Sequence, residues 1–68
     1  MQVLINGKAR DLRPGATLAD AVALLPGAPG GRGVAAAMDG EVVPRTSWAK
    51  TELTDGVRVE IVIAVQGG

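Results

Sequence analysis

The chain contains no cysteine and no histidine. Disulfides, thiolate nucleophiles, zinc sites built from the usual ligands and imidazole acid–base catalysis are therefore excluded. A chain free of cysteine suits a reducing compartment. Aromatic side chains are nearly absent as well: Trp48 is the only one. Neither charge sign is in excess, because seven basic and seven acidic residues cancel and lie scattered along the chain. A nucleic-acid binder normally shows a basic stripe, and a single-strand binder adds stacking aromatics, so both classes are disfavoured. No apolar run approaches the roughly 18 residues of a membrane span. The N-terminus enters an apparent strand directly, with no visible signal peptide. The expectation is one small, soluble, cytoplasmic domain with almost no catalytic side chains of its own. At 68 residues it can bury only about 60% of its unfolded surface, which is marginal but sufficient for independent folding.

What is abundant is glycine, 10 residues, and the last two are Gly67-Gly68. At this glycine content a terminal pair arises by chance in about 2% of chains, so the pair needs support from the rest of the sequence. Glycine lacks a side chain and has the least restricted backbone. A strand that ends in two glycines and a carboxylate can pass through a slot that other residues would block. The candidate reactive group is therefore the Gly68 carboxylate, with Gly67 as its spacer, worked on by another protein.

Turn chemistry divides the remainder. Val3 and Ile5 alternate with Gln2 and Asn6, and Asn6-Gly7 is the strongest short hairpin signal, with residues 8–12 as the returning strand. Pro14-Gly15 ends that strand. Thr17 opens a helix as its N-cap, and Asp20 completes an imperfect capping box because Glu is more usual there. Leu18, Val22 and Leu25 form one apolar stripe, and Pro26-Gly27 stops the helix at about Leu25. Residues 26–33 hold four glycines and two prolines and read as a flexible connector. A phosphate-cradling loop needs a strand before it and a helix after it, the reverse of the order here. Residues 34–38 make a small-residue strand, Asp39-Gly40 a second hairpin turn and residues 41–43 its return, ended by Pro44. Residues 46–50 read as a short helical turn around Trp48, and Asp55-Gly56 turns into a final strand over residues 57–65. There Val57, Val59, Ile61, Ile63 and Val65 should face the core.

A long final strand needs partners on both edges, and one helix covers only one face of a sheet. The expected architecture is α+β of the β-grasp class, a mixed sheet of about five strands packed on one main helix. Residues 1–66 would form the domain and residues 67–68 a flexible tail. Val62 and Ala64, out of phase with the core positions, would leave apolar side chains on the uncovered face, which often marks an interface. Leu4, out of phase with Val3 and Ile5, would join them. With Gln66 and Arg45 these are the candidate partner-contacting residues, although an Arg after Pro is more often a solvated loop residue. Trp48 reads as a core or lid residue rather than a binding platform. Arg58 and Glu60 share a face and would either set partner electrostatics or pair with adjacent strands.

Four stretches carry a resemblance: Gln2-Val3-Leu4-Ile5-Asn6-Gly7, Val43-Pro44-Arg45 with Trp48, Leu53-Thr54-Asp55-Gly56, and Val59-Glu60-Ile61-Val62 leading to Gly67-Gly68. In these, over nearly the whole length, the chain resembles the ubiquitin-like sulfur carriers of the ThiS/MoaD family. The Val-Pro-Arg…Trp stretch is similar to the thiamine-pathway branch, ThiS, rather than the molybdopterin branch, MoaD. Val57 stands where the family often has a second Asp, and Gln66 where a third Gly is common. The resemblance implies a carrier rather than an enzyme. An E1-like adenylating enzyme (ThiF-like) would activate the Gly68 carboxylate with ATP. A cysteine desulfurase or other sulfur donor would convert it to a thiocarboxylate, and a thiazole synthase (ThiG-like) would accept the sulfur. ATP and magnesium would belong to the activating partner, with no cofactor and no metal on this chain. The alternatives are a molybdopterin-pathway carrier, a ubiquitin-like modifier of lysines, and a plain interaction module with an incidental diglycine.

Overall fold

Strand β1, Gln2–Ile5, and strand β2, Lys8–Asp11, are joined by a turn in which Asn6 and Gly7 take φ angles of 51° and 81°. Positive φ at both central residues is the type I′ arrangement, whose twist matches that of the flanking strands. Asp39 and Gly40, at φ 47° and 87°, repeat it between β3, Val34–Met38, and β4, Glu41–Val43. The computed structural model describes residues 1–25 and 33–63. The connector over residues 26–32, the end of the expected last strand (Ala64 and Val65), Gln66 and the Gly67-Gly68 pair lie outside the described residues.

Between the hairpins runs helix α1, Leu18–Ala23. It starts one residue after Thr17, whose hydroxyl accepts from the Asp20 N–H at 3.3 Å, while the Asp20 carboxylate accepts the Thr17 N–H at 2.8 Å. The reciprocal capping box thus forms with Asp in the place expected to be imperfect. The helix ends at Ala23 rather than Leu25, and Leu24 and Leu25 close it with i→i+3 bonds to Ala21 and Val22. A 3-10 helix follows the second hairpin over Arg45–Lys50, one residue longer than expected, and the last strand, β5, spans Arg58–Ile63. Val57 precedes that strand but is buried, as its phase requires. The β2 strand stops one residue early, yet the Leu12 N–H still reaches the Met1 carbonyl at 2.8 Å.

The five strands form one mixed sheet in the order β2-β1-β5-β3-β4. β5 lies in the centre, parallel to β1 and antiparallel to β3. With helix α1, this is the expected β-grasp topology. One face of the sheet carries Val3, Ile5, Ala36, Val57, Val59 and Ile61, all buried. They share one apolar cluster with Leu18, Ala21 and Val22 of α1, Trp48 of the 3-10 helix and Leu53. Ile63, expected in the core, is half-buried and packs at its margin. Trp48 is a core residue, and its indole N–H donates to the Val43 carbonyl at 2.9 Å. A buried indole needs such an acceptor. Backbone bonds from Leu18 to Thr51 and from Leu53 to Ala16, each 2.8 Å, tie the start of α1 to the segment after the 3-10 helix.

Three turn side chains close gaps in the backbone ladder. The Asn6 carboxamide accepts the Ile61 N–H at 2.8 Å and donates to the Ile61 carbonyl at 3.1 Å. It acts as one more peptide unit of β1. Asp39 accepts the Arg58 N–H at 3.1 Å while its own N–H reaches the Arg58 carbonyl at 2.8 Å. Asp55 accepts the Gln2 N–H at 2.8 Å, and the Gly56 N–H donates to the Gln2 carbonyl at 2.6 Å.

The Asp20 carboxyl is held below its ordinary range chiefly by the Thr17 N–H, an effect that desolvation partly opposes and to which the Thr17 hydroxyl and the Arg13 guanidinium add lesser contributions. A depressed folded pKa gives stability that is present above the unfolded value of about 4 and lost as pH falls through the folded value. Asp20→Asn is therefore expected to reduce stability at neutral pH and to flatten the loss of stability below about pH 4, read from urea melts across that range. Val59, fully buried in the central strand, gives a second expectation. Val59→Ala should cost about 2 kcal/mol in the same melts, through lost transfer energy and the cavity left behind.

Candidate functional site

β5 supplies both the centre of the sheet and the only route to the diglycine, since Ile63 is its last residue and Gly68 lies five positions further on. Its base is fixed from both sides. Ile63 pairs with Val34 of β3, and Ile61 is bonded to the Asn6 side chain. The candidate reactive residues Gly67 and Gly68 fall outside the described residues, as do the candidate contact residues Ala64 and Gln66.

The face of the sheet away from α1 is read from the pairing register. Val62 stands beside Ala35, Glu60 beside Ala37, and Ala37 beside Val42. Leu4 stands beside Arg58 on one side and Ala9 on the other. Val62 is 65% exposed, as its phase in the strand implied. Val42, at 76%, is the more exposed residue and was not singled out from the sequence. Its signal was present: in Glu41-Val42-Val43, two successive valines of a strand cannot both face the core. Leu4 is on this face but half-buried, so it forms a floor rather than part of an exposed patch. Arg58 and Glu60 are exposed on the same face. Neither enters an ion pair among the described residues, where the two salt bridges are Met1 with Asp11 and Arg13 with Asp20. The face therefore carries Val62 with Ala35 in one row, Val42 with Ala37 and Glu60 in the next, and Arg58 with Leu4 beyond them.

Arg45 is exposed, but at the first position of the 3-10 helix rather than in a loop. The Val43-Pro44-Arg45…Trp48 stretch thus serves two purposes. Val43 and Trp48 join it to the core, and Arg45 projects outward. Leu24, at the C-terminal cap of α1, is 40% exposed. Asp20, whose pKa is lowered, is committed to capping α1. Among the described residues no group of three potential metal-binding side chains comes together, and no helix is long and apolar enough to cross a membrane.

A five-stranded mixed sheet with one helix on its inner face, an apolar patch on its outer face and a diglycine beyond the central strand defines a ubiquitin-like β-grasp protein. Comparison with known proteins places it further. The model of the ThiS family matches residues 3–68, through the last glycine, and the chain belongs to that family. Among solved structures it is similar to the thiamine biosynthesis protein ThiS from Geobacter metallireducens, with a TM-score of 0.78 and 26% identity over 100% of both chains. No curated protein sequence matches it.

If the outer patch is a surface rather than part of the packing, charge on it should be tolerated. Val62→Asp and Val42→Asp are each expected to change the free energy of unfolding by no more than about 0.5 kcal/mol in urea melts, the range of ordinary surface substitutions. A loss as large as that of Val59→Ala would mean that these side chains are packed.

Proposed function

We propose that this protein is the sulfur carrier for thiazole formation in thiamine biosynthesis, a co-substrate of other enzymes rather than an enzyme itself. The observation that carries the reading is a ThiS-family match that extends through Gly68. The similar solved structure, described as a thiamine biosynthesis protein, supports the pathway. Cytoplasmic location is part of the same reading.

The chemistry starts from the inertness of a carboxylate, whose oxygen is a poor leaving group. An E1-like adenylating enzyme binds the folded domain and brings the tail to ATP. The Gly68 carboxylate attacks the α-phosphate, releasing pyrophosphate and leaving an acyl-adenylate. A persulfide sulfur, generated by a cysteine desulfurase or another donor, attacks the acyl carbon and displaces AMP. Cleavage of the resulting S–S bond by a second thiol leaves a thiocarboxylate on Gly68. A thiazole synthase then takes the sulfur. ATP and magnesium are held by the activating enzyme. Without Cβ atoms, Gly67 and Gly68 let the tail lie against the enzyme backbone and the nucleotide.

The outer face of the sheet gives the partner something to hold. Val62, Val42 and Ala35 offer apolar area, half-buried Leu4 lies beside Arg58, and Arg58 and Glu60 supply charges that select orientation. Ala64 and Gln66, which stand between β5 and the diglycine in the sequence, are further candidate contacts, and Arg45 is an outlying one.

Deletion of Gly68 is expected to leave the urea melt unchanged and to abolish carrier-dependent pyrophosphate release by the cognate activating enzyme. Normal release from the shortened chain would rule out the terminal carboxylate as the group activated.

A further inference from the structure

Asn6 is the only asparagine in the chain, and it precedes a glycine. That dipeptide is the most prone of all to deamidation, because glycine leaves its own backbone nitrogen unshielded. The Gly7 nitrogen, after losing its proton to a solvent base, attacks the Asn6 Cγ. The side-chain nitrogen takes up a proton and leaves as ammonia, closing a five-membered succinimide. Water then opens the ring at either carbonyl, giving aspartate or isoaspartate. The net change consumes one water, releases one ammonia and adds one negative charge.

In the fold, however, that carboxamide is occupied. Its oxygen accepts the Ile61 N–H at 2.8 Å and its nitrogen donates to the Ile61 carbonyl at 3.1 Å, while the Asn6 N–H donates to the Val59 carbonyl at 2.9 Å. Asn6 and Gly7 are both exposed to water, and nothing lies within 4 Å of where a Cβ on Gly7 would stand, so access by base or water does not limit the reaction. What the fold restrains is the approach of Cγ to the Gly7 nitrogen.

We propose that Asn6 is the deamidation site of this protein, and that its reaction is governed by opening of the Asn6–Ile61 pair rather than by solvent access. The consequence falls on β5. An aspartate at this position keeps an acceptor for the Ile61 N–H but presents a carboxylate to the Ile61 carbonyl, which loses its donor. Isoaspartate adds a methylene to the backbone of a two-residue turn whose φ angles, 51° and 81°, fit the twist of β1 and β2. Either product loosens the strand that leads to residues 64–68. Asp39 and Asp55 also precede glycines and also bind a backbone N–H across the sheet, but their succinimides form by loss of water and reopen by its return, releasing no ammonia and giving no net change of mass.

The test follows ammonia loss by peptide mapping with mass spectrometry, for the full chain incubated at mildly alkaline pH, folded in buffer and unfolded in urea. The unfolded chain should deamidate at Asn6 first, and the folded chain should do so about tenfold more slowly or slower still. Equal rates in the two states, or first loss of ammonia from Gln2 or Gln66 in the unfolded chain, would overturn the proposal. Asn6→Asp tests the consequence. It should melt at lower urea than the original chain, and failure to fold is the same result at its limit. An unchanged melt would overturn the role of the pair.

Discussion

A strand in the middle of a sheet must be hydrogen-bonded along both edges, and β5 meets that demand beside partners too short to satisfy it alone. β1 ends at Ile5, opposite Val59. Beyond that point the Asn6 carboxamide takes the place of a peptide and bonds both polar groups of Ile61. On the other edge β3 ends at Met38, also opposite Val59, and Asp39 carries the pairing on to Arg58. Each edge is thus extended by the first residue of a type I′ turn. Leaving the partly buried Ile61 groups without partners would cost up to about 1–3 kcal/mol apiece, a large share of the stability of a domain this small, whereas the exposed Arg58 N–H could turn to water. With β5 held, its inner residues Val57, Val59 and Ile61 can meet α1 and Trp48 in one core.

The same arrangement separates folding from function. Among the described residues, the buried apolar cluster lies between the sheet and the α1 side, while the outer face keeps Val62 and Val42 in water. Exposing branched apolar side chains contributes nothing to folding, which is why the patch reads as a surface for a partner. In the sequence, the proposed reacting end follows β5 by five residues. A carrier needs that division: its tail must enter another protein while the domain that is recognised stays folded.

Much of this was written locally in the sequence. Asn6-Gly7, Asp39-Gly40 and Asp55-Gly56 marked three turns because few residues tolerate positive φ, and the alternation over Val57, Val59 and Ile61 fixed which face of β5 is buried. What escaped was non-local. That Asn6 would bond Ile61, 55 positions away, follows only once β1 and β5 are parallel neighbours. The depth of Leu4 depends on β2 and β5 flanking it, which no period of two can reveal. Val42 was legible in principle but overshadowed by the longer pattern in β5. For the site, the diglycine was plain in the sequence, whereas the structure contributes the anchoring of the strand before it and the make-up of the outer face of the sheet.

The account rests on one atom group, the carboxylate of Gly68. Its most direct test is intact-mass and fragmentation analysis of the protein isolated from its native cells under conditions that preserve thioacids. The account predicts a population in which one oxygen of the Gly68 carboxylate is replaced by sulfur, rising when the demand for thiamine is high. If that population is missing from cells actively making thiamine, or if the tail is instead joined to lysines of other proteins, the sulfur-carrier account is contradicted.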